Sequence, residues 1–158
     1  MRLTLVGLLL LIATGCRNTS SDHADSQLAT SQPTETATLP AADTLCFRQV
    51  MNRDTTNLQL VVNGKQASGY VDIMPFEKDR AQGSFAGIVD GEHIQADWQR
   101  AGEGVTQHYT LNLTLKGDAI TWHEGERVEK DGKWVLKQPN TGYQYVLTKT
   151  DCPANPLR

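Results

Sequence analysis

The chain reads as an all-β domain, an antiparallel meander of hairpins, on two observations. Apolar residues recur with period 2 over most of the sequence after residue 45, so each segment offers one face to a core and the other to water. Turn dipeptides separate these segments, and no window of a dozen residues carries the 3.6-residue stripe of a helix. With 158 residues, 39% hydrophobic and 21% charged, there is room for one core and too little for two.

The first strand surrounds Cys46 and Phe47. In the next, Leu58, Leu60 and Val62 alternate with Gln59 and Val61. Asn63-Gly64 turns the chain into a third, where Ala67, Gly69, Val71 and Ile73 alternate with Ser68, Tyr70 and Asp72. Gly83 and Gly87 fall in a fourth segment and suit the tight bends of a small barrel. Asp90-Gly91 leads to Ile94, Ala96 and Trp98, set against His93, Gln95 and Asp97. The clearest run follows Gly102-Glu103-Gly104: Tyr109, Leu111, Leu113 and Leu115 against His108, Thr110, Asn112 and Thr114. Gly117-Asp118 precedes Ile120 and Trp122, and Asp131-Gly132 precedes a short segment at 133–137. Asn140-Thr141-Gly142 opens the last, with Tyr143, Tyr145 and Leu147.

The N-terminus carries an address. Met1-Arg2 is followed by an apolar run from Leu3 to Ala13, too short for a spanning helix of about 20 residues and of the length of a signal peptide's hydrophobic region. Ala13, Thr14 and Gly15 then precede Cys16. This resembles the bacterial lipoprotein signal, in which the cysteine after a small-residue cleavage site is acylated and becomes the new N-terminus. Residues 1–15 are then the signal, and Cys16 tethers the chain to a membrane, since two acyl chains already anchor stably. By resemblance to lipoprotein sorting, Arg17 after the cysteine implies the outer membrane. Residues 16–44 hold ten Ser/Thr, no aromatic residue and a net −3, the composition of a disordered tether spanning roughly 30 Å. The domain, 45–158, keeps 13 basic against 14 acidic residues, with no field to attract nucleic acid.

An envelope address makes Cys46 and Cys152 a disulfide, because that compartment is oxidising. It would close a loop of roughly 107 residues and contribute up to about 4–5 kcal/mol in the chain-entropy model. The bond also constrains the strand count. Cys46 lies near the start of the first strand and Cys152 just after the last, and in a meander those points share a rim only when the strand number is even. Nine segments are then reconciled as eight barrel strands plus a rim excursion near Asp131, a lipocalin-like strand number. A two-sheet sandwich is the competing architecture.

Chemistry is sparsely signalled. Of the four histidines, His23 lies in the tether. His93 and Asp97 share a strand face about 13 Å apart, too far for ligands that each sit about 2 Å from zinc. His108 and His123 fall on polar faces, so no metal or other cofactor is expected. There is no G-x-S-x-G elbow, both domain cysteines are committed, and Gly102-Glu103-Gly104 opens no helix; an enzyme is not expected.

The one unusual cluster is Glu77, Lys78, Asp79 and Arg80 after Pro75-Phe76. It reads as a solvated turn or as a binding patch at the rim, where Arg80 forks onto a carboxylate of the domain or of a ligand. Together with Cys46-Phe47, Asp54-Thr55, Gly69-Tyr70, Gly83 and Gly87, the cluster resembles a group of small, uncharacterised Gram-negative lipoproteins. These share an aromatic-x-E-K-D-[KR] segment and a closing cysteine; here Phe76 stands directly before Glu77. The resemblance implies an architecture and no activity.

The expectation is a lipid-anchored envelope protein whose barrel is a non-enzymatic binding module. Its partner is a small apolar or amphipathic ligand in the barrel mouth, or an envelope protein or foreign enzyme held by rim loops. Large residues such as Trp98, Trp122, Tyr109 and Leu111 point to a filled interior and so to the rim. The address is tested directly: Cys16→Ala should yield soluble protein or unprocessed precursor with the domain still folded. An unmodified Cys16 in the intact mass of the native mature protein would contradict it.

Overall fold

A computed structural model describes residues 43–155 and 157. The signal, Cys16, His23 and the tether to residue 42 lie outside the described residues. Ten strands follow in order: β1 (Thr44–Met51), β2 (Asp54–Asn63), β3 (Gln66–Met74), β4 (Ala81–Asp90), β5 (His93–Gly102), β6 (Val105–Lys116), β7 (Ala119–Glu124), β8 (Arg127–Lys130), β9 (Lys133–Leu136) and β10 (Tyr143–Thr150). The first strand starts at Thr44, which pairs with Val61.

Each strand from β1 to β7 pairs antiparallel with the next, β7 pairs with β10, and β10 returns to β1. The sheet is therefore an eight-stranded barrel and not a sandwich. β8 and β9 form a hairpin outside the ring, at the expected excursion, with Asp131-Gly132 at its tip. β8 has no counterpart among the nine segments read from sequence. Even parity also holds: β1 begins and β10 ends at one rim, where the Cys46 and Cys152 sulfurs are bonded and their Cα atoms lie 5.1 Å apart.

This entry rim carries the β2–β3, β4–β5 and β6–β7 turns. The opposite, far rim carries the β1–β2 turn, the β3–β4 loop, the β5–β6 turn and the β8–β9 excursion.

The alternation read from sequence points inward as expected. Leu58, Leu60, Val71, Ile94, Trp98, Leu111, Leu113, Ile120, Trp122 and Leu147 are almost wholly removed from water, with Phe47 and Phe85 among them. Each such side chain contributes about 1.5–3 kcal/mol by burial. Tyr109 is only partly buried and packs against this core. The barrel is filled by its own side chains.

Of the two glycines expected at tight bends, Gly83 sits at a break in the β4–β5 ladder, whereas Gly87 lies within it, paired with Ala96. A Cβ at Gly83 would run into the Gln99 carbonyl, and one at Gly87 into that of Gln95. The β4–β5 ladder skips Gly83 and Ser84 between Gln82↔Ala101 and Phe85↔Trp98. The Gly83 carbonyl accepts the Trp98 indole N–H at 3.1 Å, so the bend leaves that buried donor satisfied.

Two seams are short. β6 pairs with β7 over three residues, Thr114↔Thr121 to Lys116↔Ala119, and β1 pairs with β10 over three, Cys46↔Thr150 to Arg48↔Thr148. Both ladders lie at the entry rim, so the β7–β10 pair peels away from its neighbours towards the far rim.

Candidate functional site

The β3–β4 loop, residues 75–80, stands at the far rim. Pro75 follows the last residue of β3, as a residue without an N–H should. The Phe76 N–H donates to Asp54 Oδ1 at 2.7 Å, and the Arg53 guanidinium stacks on the Phe76 ring. Glu77 then takes a left-handed conformation (φ 57°). Glu77, Lys78 and Asp79 are exposed.

Arg80 turns back to the domain. Its Nε and Nη2 donate to Asp72 Oδ1 and Oδ2 at 2.6 and 2.7 Å, a bidentate fork onto a carboxylate whose side chain is 2% exposed. Of the two partners expected for Arg80, a ligand or the domain, the domain holds it. The hydrogen bond to Asp72 raises the Arg80 pKa further, and burial, followed by the Asp72 charge, raises that of the neighbouring Tyr70 phenol. Asp72 shows how alternation alone misleads. It lies on the outward face of β3, yet Arg80 folds over it and excludes water.

The same rim gathers apolar surface. Val50, Met51, Val105, Val128 and Tyr143 are among the exposed large hydrophobic residues, and all five stand at strand ends or on the excursion at this rim. Between Met51, Ile73, Pro75, Tyr143 and Tyr145 lies a cleft of about 150 Å³. Its wall is an aromatic stack: Trp122 lies parallel to Tyr145 at 4.5 Å, and Tyr143 meets Tyr145 edge-on at 4.7 Å. Burial, with smaller help from Glu124 and Tyr143, pushes the Tyr145 pKa up to about 12.

The excursion is held by a residue that sequence reasoning missed. Arg127, its side chain 7% exposed, donates Nε and Nη2 to Glu124 at 2.7 and 3.0 Å, and Nη1 to the Thr110 and Trp134 carbonyls at 3.1 and 2.9 Å. Its guanidinium also sits 4.8 Å from the Tyr109 ring centroid, and Tyr109 stacks on Trp134 at 6.4 Å. Arg127 thus ties β6, β7, β8 and β9 where the β6–β7 ladder has ended. The only sequence signal is Glu124-x-x-Arg127, a spacing too common to single out.

A second feature lies on the outer wall. A groove of about 630 Å³ follows the β6–β7 split and is bordered on one side by β5 and on the other by β10. Four carboxamides (Gln95, Asn112, Asn140, Gln144), two imidazoles (His93, His123) and two hydroxyls (Thr114, Thr121) line it. The other lining residues, Ile94, Leu113 and Trp122, have side chains buried in the barrel. His93 Nδ1 lies 3.3 Å from Thr114 Oγ1. His93 and His123, 30 positions apart in sequence, therefore share one groove, whereas His108 is exposed on β6 opposite Gln99 and is not among its lining residues. Asp97, the outward residue beyond Gln95, is held by Lys133 Nζ at 2.7 and 2.8 Å. Among the described residues, no three His, Cys, Asp or Glu side chains converge as metal ligands.

No protein-family model, curated protein or solved structure matches the chain.

The loop geometry separates two roles within one tetrad. Replacing Glu77, Lys78 and Asp79 together with Ser or Gly should change stability by no more than about 1 kcal/mol, as for exposed charges. Arg80→Ala should cost about 1–3 kcal/mol, because Asp72 loses both charge-assisted hydrogen bonds. Urea unfolding of the two variants measures both; equal effects would contradict the assignment.

Proposed function

We propose that this protein is a lipid-anchored envelope protein, attached through Cys16 to the outer membrane, whose barrel is a non-enzymatic binding module. The far rim is its working surface, and a folded envelope or foreign protein is its partner. One observation carries this reading. Exposed apolar side chains and the Glu77–Asp79 charges gather at the rim opposite the point where the chain enters, around an interior already filled. Met, Tyr and Arg beside exposed apolar area are the composition of interface anchors. β1 begins at the entry rim, at the end of the barrel opposite the far rim.

A small apolar ligand inside the barrel fits less well. The rim cleft of about 150 Å³ is below the roughly 300–1,000 Å³ of ordinary ligand sites. The aromatic stack that walls it is already packed against itself.

The rim is tested by capture. Tagged full-length protein should retain a specific protein from envelope extracts. The triple variant Met51→Ser, Val105→Ser, Val128→Ser should lose it, and the wall variant Ile88→Ser, Val146→Ser should keep it. Ile88 and Val146 are as exposed as the rim residues but lie elsewhere. Identical capture by both variants would remove the rim from the account.

A further inference from the structure

The outer-wall groove at the β6–β7 split is not used by the rim reading and does not depend on it. Its lining residues include no Asp, Glu, Lys or Arg, in a chain with 15 basic and 18 acidic residues. Eight of its eleven lining residues carry uncharged side chains that can hydrogen-bond.

The register explains how they come together. His93, Thr114 and Thr121 form one row across β5, β6 and β7. One step towards the far rim, Gln95 pairs with Asn112, and His123 pairs with Gln144. The continuation of the β6–β7 ladder would place Asn112 opposite His123, but that ladder has already ended. The second row therefore has a gap at its centre, flanked by a carboxamide and an imidazole on strands that have parted.

Chemistry narrows the occupant. Phosphate or carboxylate ligands need Arg or Lys, and nucleic acid needs a basic track. A peptide helix or a lipid surface needs outward apolar anchors, whereas the apolar residues here have their side chains buried in the barrel. Carboxamides, imidazoles and hydroxyls both donate and accept, and so match a ligand that is neutral and dense in hydroxyl groups. The volume of about 630 Å³ lies within the range of small-ligand sites. We propose that this groove binds a neutral oligosaccharide.

The test is a titration of the ¹⁵N-labelled full chain with chitotetraose and, separately, maltotetraose. At least one should bind with a Kd of about 1 mM or tighter, and it should shift the side-chain carboxamide signals of Gln95, Asn112 and Gln144 while leaving the backbone amide signals of Glu77 to Arg80 in place. The double variant Asn112→Ala, Gln144→Ala replaces two exposed side chains, so it should keep the wild-type melting temperature and weaken binding about tenfold or more. Three results would overturn the proposal: neither sugar perturbing the groove at about 10 mM, shifts confined to the rim loop, or displacement of the sugar by an equal concentration of triglycine. Loss of rim-dependent protein capture would leave this result untouched, so the two sites stand or fall separately.

Discussion

β1 and β10, the first and last strands of the barrel, meet over three residue pairs, and everything else about the fold depends on that short seam. Left open, the eight-stranded sheet would expose two edges of eight residues each, with unpaired N–H and C=O groups and the inward apolar stripe behind them. The Cys46–Cys152 bond lies beside the seam and closes the chain between points 106 residues apart. The chain-entropy model assigns such a loop up to about 4–5 kcal/mol, comparable with the whole net stability of many domains at about 5–15 kcal/mol.

Closure at the entry rim leaves the far rim splayed, and the structure compensates there without a ladder. Where β7 has left β6, the Thr110 carbonyl is taken by Arg127, which also binds Glu124 and the Trp134 carbonyl. A buried guanidinium with this many acceptors stabilises the site only as a complete set, since each unmade bond would leave a polar group dry. On the other side, Trp122, Tyr145 and Tyr143 fill the opening with stacked rings. Both candidate surfaces follow from the splay. The rim gains its exposed strand ends and excursion, and the outer wall gains a groove where two strands part.

The barrel was legible in the sequence because its interior is strictly one-sided. Runs such as Leu111-Asn112-Leu113 and Ile94-Gln95-Ala96 can bury only one face, and the parity of Cys46 and Cys152 then fixes an even strand number. β8 was not legible. Its four residues, Arg127-Val128-Glu129-Lys130, carry one apolar side chain, and that one is exposed. The Arg80 fork was legible as a possibility only, because its partner Asp72 sits at an outward position that alternation assigns to water. The groove was illegible for a different reason. His93 and His123 meet through the register of β5, β6 and β7, and a hairpin's register depends on turn geometry that residue types only partly determine. Cys16 and the tether rest on their sequence pattern alone.

The dependence on the β1–β10 seam is tested most directly by hydrogen exchange on the paired variant Cys46→Ala, Cys152→Ala. Stability to urea should fall by roughly 2–5 kcal/mol, and the amides of residues 47–48 and 148–150 should exchange faster before those of β4 and β5 respond. A variant within about 0.5 kcal/mol of the parent, with exchange in β1 and β10 no faster than in β4 and β5, would contradict the account.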